Sequence, residues 1–104
     1  MSWIYLCLAG LLEVCWALAM KASDGFSRPV PTLLMAATMA ASFWLLALAM
    51  RTLPLSTAYA VWTGIGAVGS FLVGIIILGE PAGALKMTAA ALIAGGIVLM
   101  KVAG

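Results

Sequence analysis

Four apolar stretches follow one another along the chain, each close to the length that crosses a bilayer, with only short polar interruptions. A membrane-spanning helix needs about 20 apolar residues, so four of them use about 80. The chain has 104 residues, and what remains suffices for loops and ends but not for a soluble domain. Charged residues make up 8% of the sequence and hydrophobic ones 66%. A soluble domain carries roughly a quarter charged residues. The expectation is an all-α membrane protein, a single domain over residues 1–104 with four transmembrane helices.

The interruptions set the spans. The first is expected from Trp3 to Met20, and the segment Lys21 to Pro31 after it holds an Asp24-Gly25 turn signal and two prolines. The second runs from Thr32 to Met50 and is closed by Arg51 and Pro54. The third runs from Thr57 to Leu78, followed by Gly79-Glu80-Pro81-Ala82-Gly83. The fourth covers Leu85 to Val102, with Lys86 and Lys101 near its ends, where a lysine can snorkel to the headgroups. Short loops make consecutive helices antiparallel neighbours and bring the termini to one side. Arg51 and Lys101 lie on that side; Lys21, Arg28 and Lys86 lie on the other. Orientation follows the Lys/Arg imbalance. A difference of one residue leaves two readings open: insertion in both orientations, or one dominant orientation.

Several chemistries are excluded. Histidine is absent, which argues against a zinc site or a His-based triad, and no cofactor is expected. Cys7 and Cys15 are about 12 Å apart along one helix, too far to pair, and read as small hydrophobes. The five cations form no basic run, so nucleic-acid binding has no footprint. The first stretch has no basic leading region and contains a Glu, which argues against a signal peptide.

That residue, Glu13, carries the functional reading. It sits near the middle of the first span among Leu11, Leu12, Val14 and Cys15, and no span offers an obvious cation to neutralise it. A charge at the bilayer centre costs at least about 2.5–3.5 kcal/mol on insertion scales, so such a residue marks a functional site by default. The bland alternative is a protonated Glu acting as interhelical glue. Trp16 follows at i+3 on the same helical face, and Tyr59 and Trp62 share a face at that spacing in the third span, with Thr63 at i+4 from Tyr59. Ser42 lies amid apolar residues of the second span. Together these could line a cation site: the carboxylate supplies charge, the rings cation–π attraction, and the hydroxyls orient the carboxylate. Trp3 and Tyr5 fit an interfacial aromatic belt instead. Gly64 and Gly66 form a candidate hinge, since glycine lacks the Cβ that restricts torsions. Their alternative role is close helix packing. Gly95 and Gly96 belong to a small-residue surface of the fourth span, a candidate contact with a second copy.

These residues carry a resemblance. Ala9-Gly10-Leu11-Leu12-Glu13-Val14-Cys15-Trp16-Ala17, then Lys21 and Gly25-Phe26-Ser27-Arg28, resembles the first helix and loop of the small multidrug resistance transporters. Thr57-Ala58-Tyr59-Ala60-Val61-Trp62-Thr63 running into Gly64-Ile65-Gly66-Ala67-Val68-Gly69 is the most specific match, and Gly96 with Lys101 closes it. Trp16 after the Glu is similar to the guanidinium-exporting branch, whereas Ser42-Phe43-Trp44-Leu45-Leu46 also resembles the multidrug branch. The resemblance implies a transporter rather than an enzyme, an antiparallel homodimer with dual topology, and a bacterial inner-membrane location. It implies exchange of protons for a cationic substrate, with Glu13 binding both and Trp16, Ser42, Tyr59 and Trp62 lining the site. The fourth helix would be the main dimer contact.

The reading is a proton-coupled antiporter exporting guanidinium, whose planar cation can donate two parallel hydrogen bonds to one carboxylate. The expected partners are guanidinium and protons, the lipid bilayer and a second copy of the chain. The rivals are an exporter of quaternary ammonium compounds and a non-transporting structural membrane protein.

Overall fold

The computed structural model describes residues 2–103. Four helices account for most of them: α1 (Ser2–Ala22), α2 (Pro29–Ala49), α3 (Leu55–Ile76) and α4 (Ala84–Ala103). Each is 20 to 22 residues long and apolar enough to cross a membrane. At 1.5 Å per residue this is about 30 Å, the thickness of the hydrocarbon core.

Helix α2 begins three residues earlier than the sequence suggested. Its first residue is Pro29, with Arg28 before it in an extended conformation at φ −101° and ψ 119°. Proline at the first helical position gives up an N–H that has no intrahelical partner anyway, and it pushes the preceding residue into the extended region. The prolines here start a helix rather than extend a loop. The first reversal is tight because Asp24, Gly25 and Phe26 all take positive φ, at 49°, 69° and 68°. Buried Ser23 holds it: its hydroxyl donates to the Met20 carbonyl at 2.6 Å and accepts the Phe26 N–H at 3.1 Å.

The two ends of the bundle are distinct. At one, the Ser2 and Thr52 hydroxyls hydrogen-bond, and the Lys101 ammonium lies 5.7 Å over the Trp3 ring, so both ends of the described chain gather beside the second loop. At the other, Lys21 Nζ meets Glu80 Oε2 at 2.9 Å. Glu80 is thus paired rather than simply solvated. Pairs as exposed as this one contribute about 0.2–1 kcal/mol.

Helix α1 packs between α2 and α3, and α4 lies against α3, touching α1 at its end through Lys101 and Trp3. The molecule is a slab of 41 × 34 × 16 Å, barely more than one helix layer thick. Its core is correspondingly small: Leu6 and Ala9 of α1, Leu46 and Ala49 of α2, and Ala58, Val61 and Trp62 of α3. No described residue of α4 is buried. Lipid is as apolar as leucine, so close packing rather than escape from water holds such helices together.

Glycines set that closeness between α1 and α3. A Cβ on Gly10 would run into the Ile65 side chain, one on Gly69 into Val14, and one on Gly66 into the Glu13 carboxylate. Each helix therefore seats side chains of the other on its bare backbone.

Candidate functional site

Glu13 is positioned by this α1–α3 contact. Its side chain lies on Gly66, which no other residue type could vacate so completely. Its Oε1 is shielded and has no hydrogen-bond partner among the described residues. One helical turn along α1, Trp16 Nε1 is in the same condition. An unmatched acceptor and an unmatched donor thus stand on one face of α1, and an unpaired polar group away from water is costly. Both atoms are available to something the isolated chain does not contain.

A second group forms where α1, α2 and α3 meet. Ser42 is fully buried. Its hydroxyl donates to the Ala9 carbonyl at 2.6 Å and accepts from Trp62 Nε1 at 3.0 Å. Here the serine fixes the indole and ties the three helices together; its proton goes to α1 backbone rather than to Glu13. The Trp62 ring then organises two others. Phe43 meets it edge-on at 5.7 Å and 62°, and Tyr59 lies tilted at 5.7 Å and 47°. Tyr59 is 53% exposed while Trp62 is 7% exposed, so the cluster has a buried anchor and an open face. The Thr63 hydroxyl is spent on the Tyr59 carbonyl at 2.7 Å.

The two groups are adjacent turns of one surface. Ala9 precedes Glu13 by four residues, and Trp62 precedes Gly66 by four, so one turn of about 5.4 Å separates them on each helix. The structure brings Glu13 together with Gly66, and Ser42 with Trp62 and Tyr59. It leaves Gly95 and Gly96 apart: a Cβ on either would meet nothing within 4 Å. Gly64 belongs to a different contact, facing Ile93 and Ile97 of α4. Helix α3 runs through Gly64 and Gly66 without a break.

Sequence reasoning missed three features. Phe43 joins the aromatic cluster; its place next to Ser42 was the available signal. Gly66 is a seat for Glu13, which only the α1–α3 register reveals. The Lys21–Glu80 pair spans 59 positions, and nothing local announces it.

The family model described as Small Multidrug Resistance protein matches residues 1–93. The chain belongs to this family. Three relatives are each named guanidinium exporter. One from Yersinia pseudotuberculosis is 53% identical over 103 residues, 99% of either chain. One from Escherichia coli strain K12 is 52% identical over 101 residues, 97% of this chain and 96% of the relative. One from Citrobacter freundii has the same identity and coverage. With four membrane-length helices, this small multidrug resistance protein is a multi-pass protein of the bacterial inner membrane.

Proposed function

We propose that the protein exports guanidinium in exchange for protons, working as an antiparallel homodimer. The observation that carries the reading is Glu13: a membrane-embedded carboxylate with a shielded Oε1 that no described residue answers. Guanidinium supplies what is missing. It is a cation whose paired N–H groups fit both oxygens of one carboxylate, and its flat faces suit the rings of Trp16, Tyr59 and Trp62. The names of the relatives support the same substrate.

The carboxylate can hold a proton or the cation, not both. A proton arriving from one side releases guanidinium, and guanidinium arriving from the other releases the proton. Exchange follows if a dimer carrying neither rarely changes orientation. Ser42 holds Trp62 in place, and Trp62 supports Tyr59 at the open face.

A second copy completes the site. The slab is one helix layer thick, α4 buries none of its described residues, and Gly95 and Gly96 present open backbone. Small residues let helices approach closely in lipid. In the reading proposed here α4 meets α4 of an oppositely inserted copy, and two Glu13 carboxylates share one substrate. Gly64 and Gly66 give α3 the freedom to change shape between the two orientations.

The test is proton flux in proteoliposomes. Adding guanidinium outside should drive protons out of vesicles containing the protein and not out of empty ones. A tetraalkylammonium ion should drive less. Equal fluxes would move the substrate class to quaternary ammonium compounds. No flux with either would remove the transport reading.

A further inference from the structure

Helices α1 and α4 both pack on α3 and leave a gap between them, since α4 meets α1 only where Lys101 reaches Trp3. Two apolar clefts open in this gap, of about 190 and 370 Å³, and both are lined by Trp3, Cys7 and Lys101. Trp3 and Cys7 are one turn apart on α1, and Val98 and Lys101 one turn apart on α4, so they form facing walls. Ile65 of α3 joins the lining of the smaller cleft. The Lys101 ammonium stands at the outer end, 5.7 Å over the Trp3 ring. Side-chain charge at this end of the bundle is of one sign. The Ser2 and Thr52 hydroxyls hydrogen-bond here, which brings Arg51 beside the start of α1. All three acidic residues lie elsewhere: Glu13 in mid-span, Asp24 and Glu80 in the loops at the opposite end. Among the described residues the one ion pair is Lys21–Glu80, so Lys101 has no acidic side chain to balance it.

We propose that the gap between α1 and α4 binds an anionic phospholipid of the surrounding leaflet, with its phosphate at Lys101 and an acyl chain running inward past Cys7. The apolar walls alone would take any lipid, because lipid chains are as apolar as leucine. Preference comes from the head. Lysines at helix ends reach up to the headgroups, and tryptophan favours the same level. Trp3 and Lys101 therefore mark the depth of the phosphate, and the clefts extend from them toward the bilayer interior. A phosphodiester without its own ammonium supplies the negative charge that this acid-free end lacks. A zwitterionic head brings a cation of its own, which Lys101 and Arg51 repel. A second apolar wedge, of about 280 Å³ between α3 and α4, also borders a lysine, Lys86. It lies at the end that carries Asp24 and Glu80, so its field is mixed and the same preference is not expected there. Bound in the gap, the lipid would join two helices that otherwise touch through one pair of side chains. The inference concerns a single chain and does not depend on which ion is transported.

Tryptophan quenching by brominated lipid tests this. The full chain is reconstituted in phosphatidylcholine doped with a small, equal fraction of either brominated phosphatidylglycerol or brominated phosphatidylcholine. The Trp3 contribution is the difference between the unmodified protein and Trp3→Phe. Brominated phosphatidylglycerol should quench it as strongly as about five times as much brominated phosphatidylcholine, the conversion of about 1 kcal/mol for one cation at a membrane surface. Lys101→Gln should erase this preference, while Lys101→Arg and Lys86→Gln should keep it. Cys7→Phe fills the clefts and leaves Lys101 in place; it should weaken quenching by the anionic lipid. Far-ultraviolet circular dichroism identifies any variant that has lost its helices. If Lys101→Gln is lost in this way, raising the salt concentration on the unmodified protein replaces it and should shrink the preference. Equal quenching by both lipids would overturn the proposal, since the gap would then hold bulk lipid. Negligible quenching of Trp3 by either would overturn it in favour of a second copy covering the gap. Equal losses in Lys86→Gln and Lys101→Gln would overturn it in favour of diffuse surface charge.

Discussion

Glu13 and Trp16 each keep a shielded polar atom without a partner among the described residues, and the hydrocarbon of a bilayer offers none. A glutamate used only as glue would have found an acceptor or donor on a neighbouring helix. Instead the Ser42 hydroxyl of α2 donates to the Ala9 carbonyl and accepts from Trp62 Nε1 of α3. The site is left with an unpaired carboxyl oxygen, and a transported cation could supply the missing partner. If guanidinium and protons compete for it, as proposed, affinity should fall as pH falls, and binding should release protons. Removing the charge with Glu13→Gln should abolish proton release. It should also weaken guanidinium binding by roughly 10- to 100-fold, since hydrogen bonds to a charged group contribute about 1.5–3 kcal/mol. Glu13→Asp keeps the charge on a shorter stem and should retain part of the binding. Calorimetry in buffers of different ionisation enthalpy counts the protons; binding that does not vary with pH would rule out competition at this carboxylate.

Helix α3 carries the structure's two kinds of glycine, and they should behave differently. Gly66 bears the Glu13 side chain, whereas Gly64 faces Ile93 and Ile97 of α4. Overpacking a closed contact costs about 1–3 kcal/mol. At Gly66 an alanine displaces the carboxylate, so guanidinium affinity should drop roughly 5- to 100-fold by the usual conversion of that cost. At Gly64 the added methyl presses on α4, whose isoleucine tips can turn aside, so binding should survive while turnover slows. Calorimetry beside flux separates the two; equal losses of affinity in both variants would mean general misfolding. This contrast marks the limit of what the sequence alone could convey. The four helices were legible because each is an apolar run of membrane length, and Glu13 because it breaks one. Which side of each helix faces its neighbour was not legible. Helices apolar all round carry little amphipathic signal, so neither the seat at Gly66 nor the bond from Trp62 to Ser42 could be read from spacing. The start of α2 at Pro29 differed for a local reason: proline marks a turn or a helix start with equal ease.

The whole molecule is a slab with an unburied fourth helix and a nearly balanced charge distribution. Lys21, Arg28 and Lys86 lie at one end and Arg51 and Lys101 at the other. The Lys21–Glu80 pair leaves this balance intact, because acidic residues contribute little to orientation. A chain so poised can supply both halves of an antiparallel dimer from one sequence. The bias is then easy to tip. Two lysines added beside Arg51 give that end four cations against three and should hold it on the cytoplasmic side. Expressed alone, this variant should insert one way, verified by which side of the membrane labels an introduced loop cysteine, and should transport little guanidinium. Two further lysines beside Arg28, in a separate variant, should fix the opposite orientation with the same loss. Co-expression of the two should restore flux, because each supplies the partner the other lacks. The bilayer makes this complementation discriminating: neither copy can turn over within it once its charged loops are placed, so recovered activity must come from pairs that inserted in opposite senses. A fixed-orientation variant with full activity on its own would show that the pairing is parallel, or that one chain suffices.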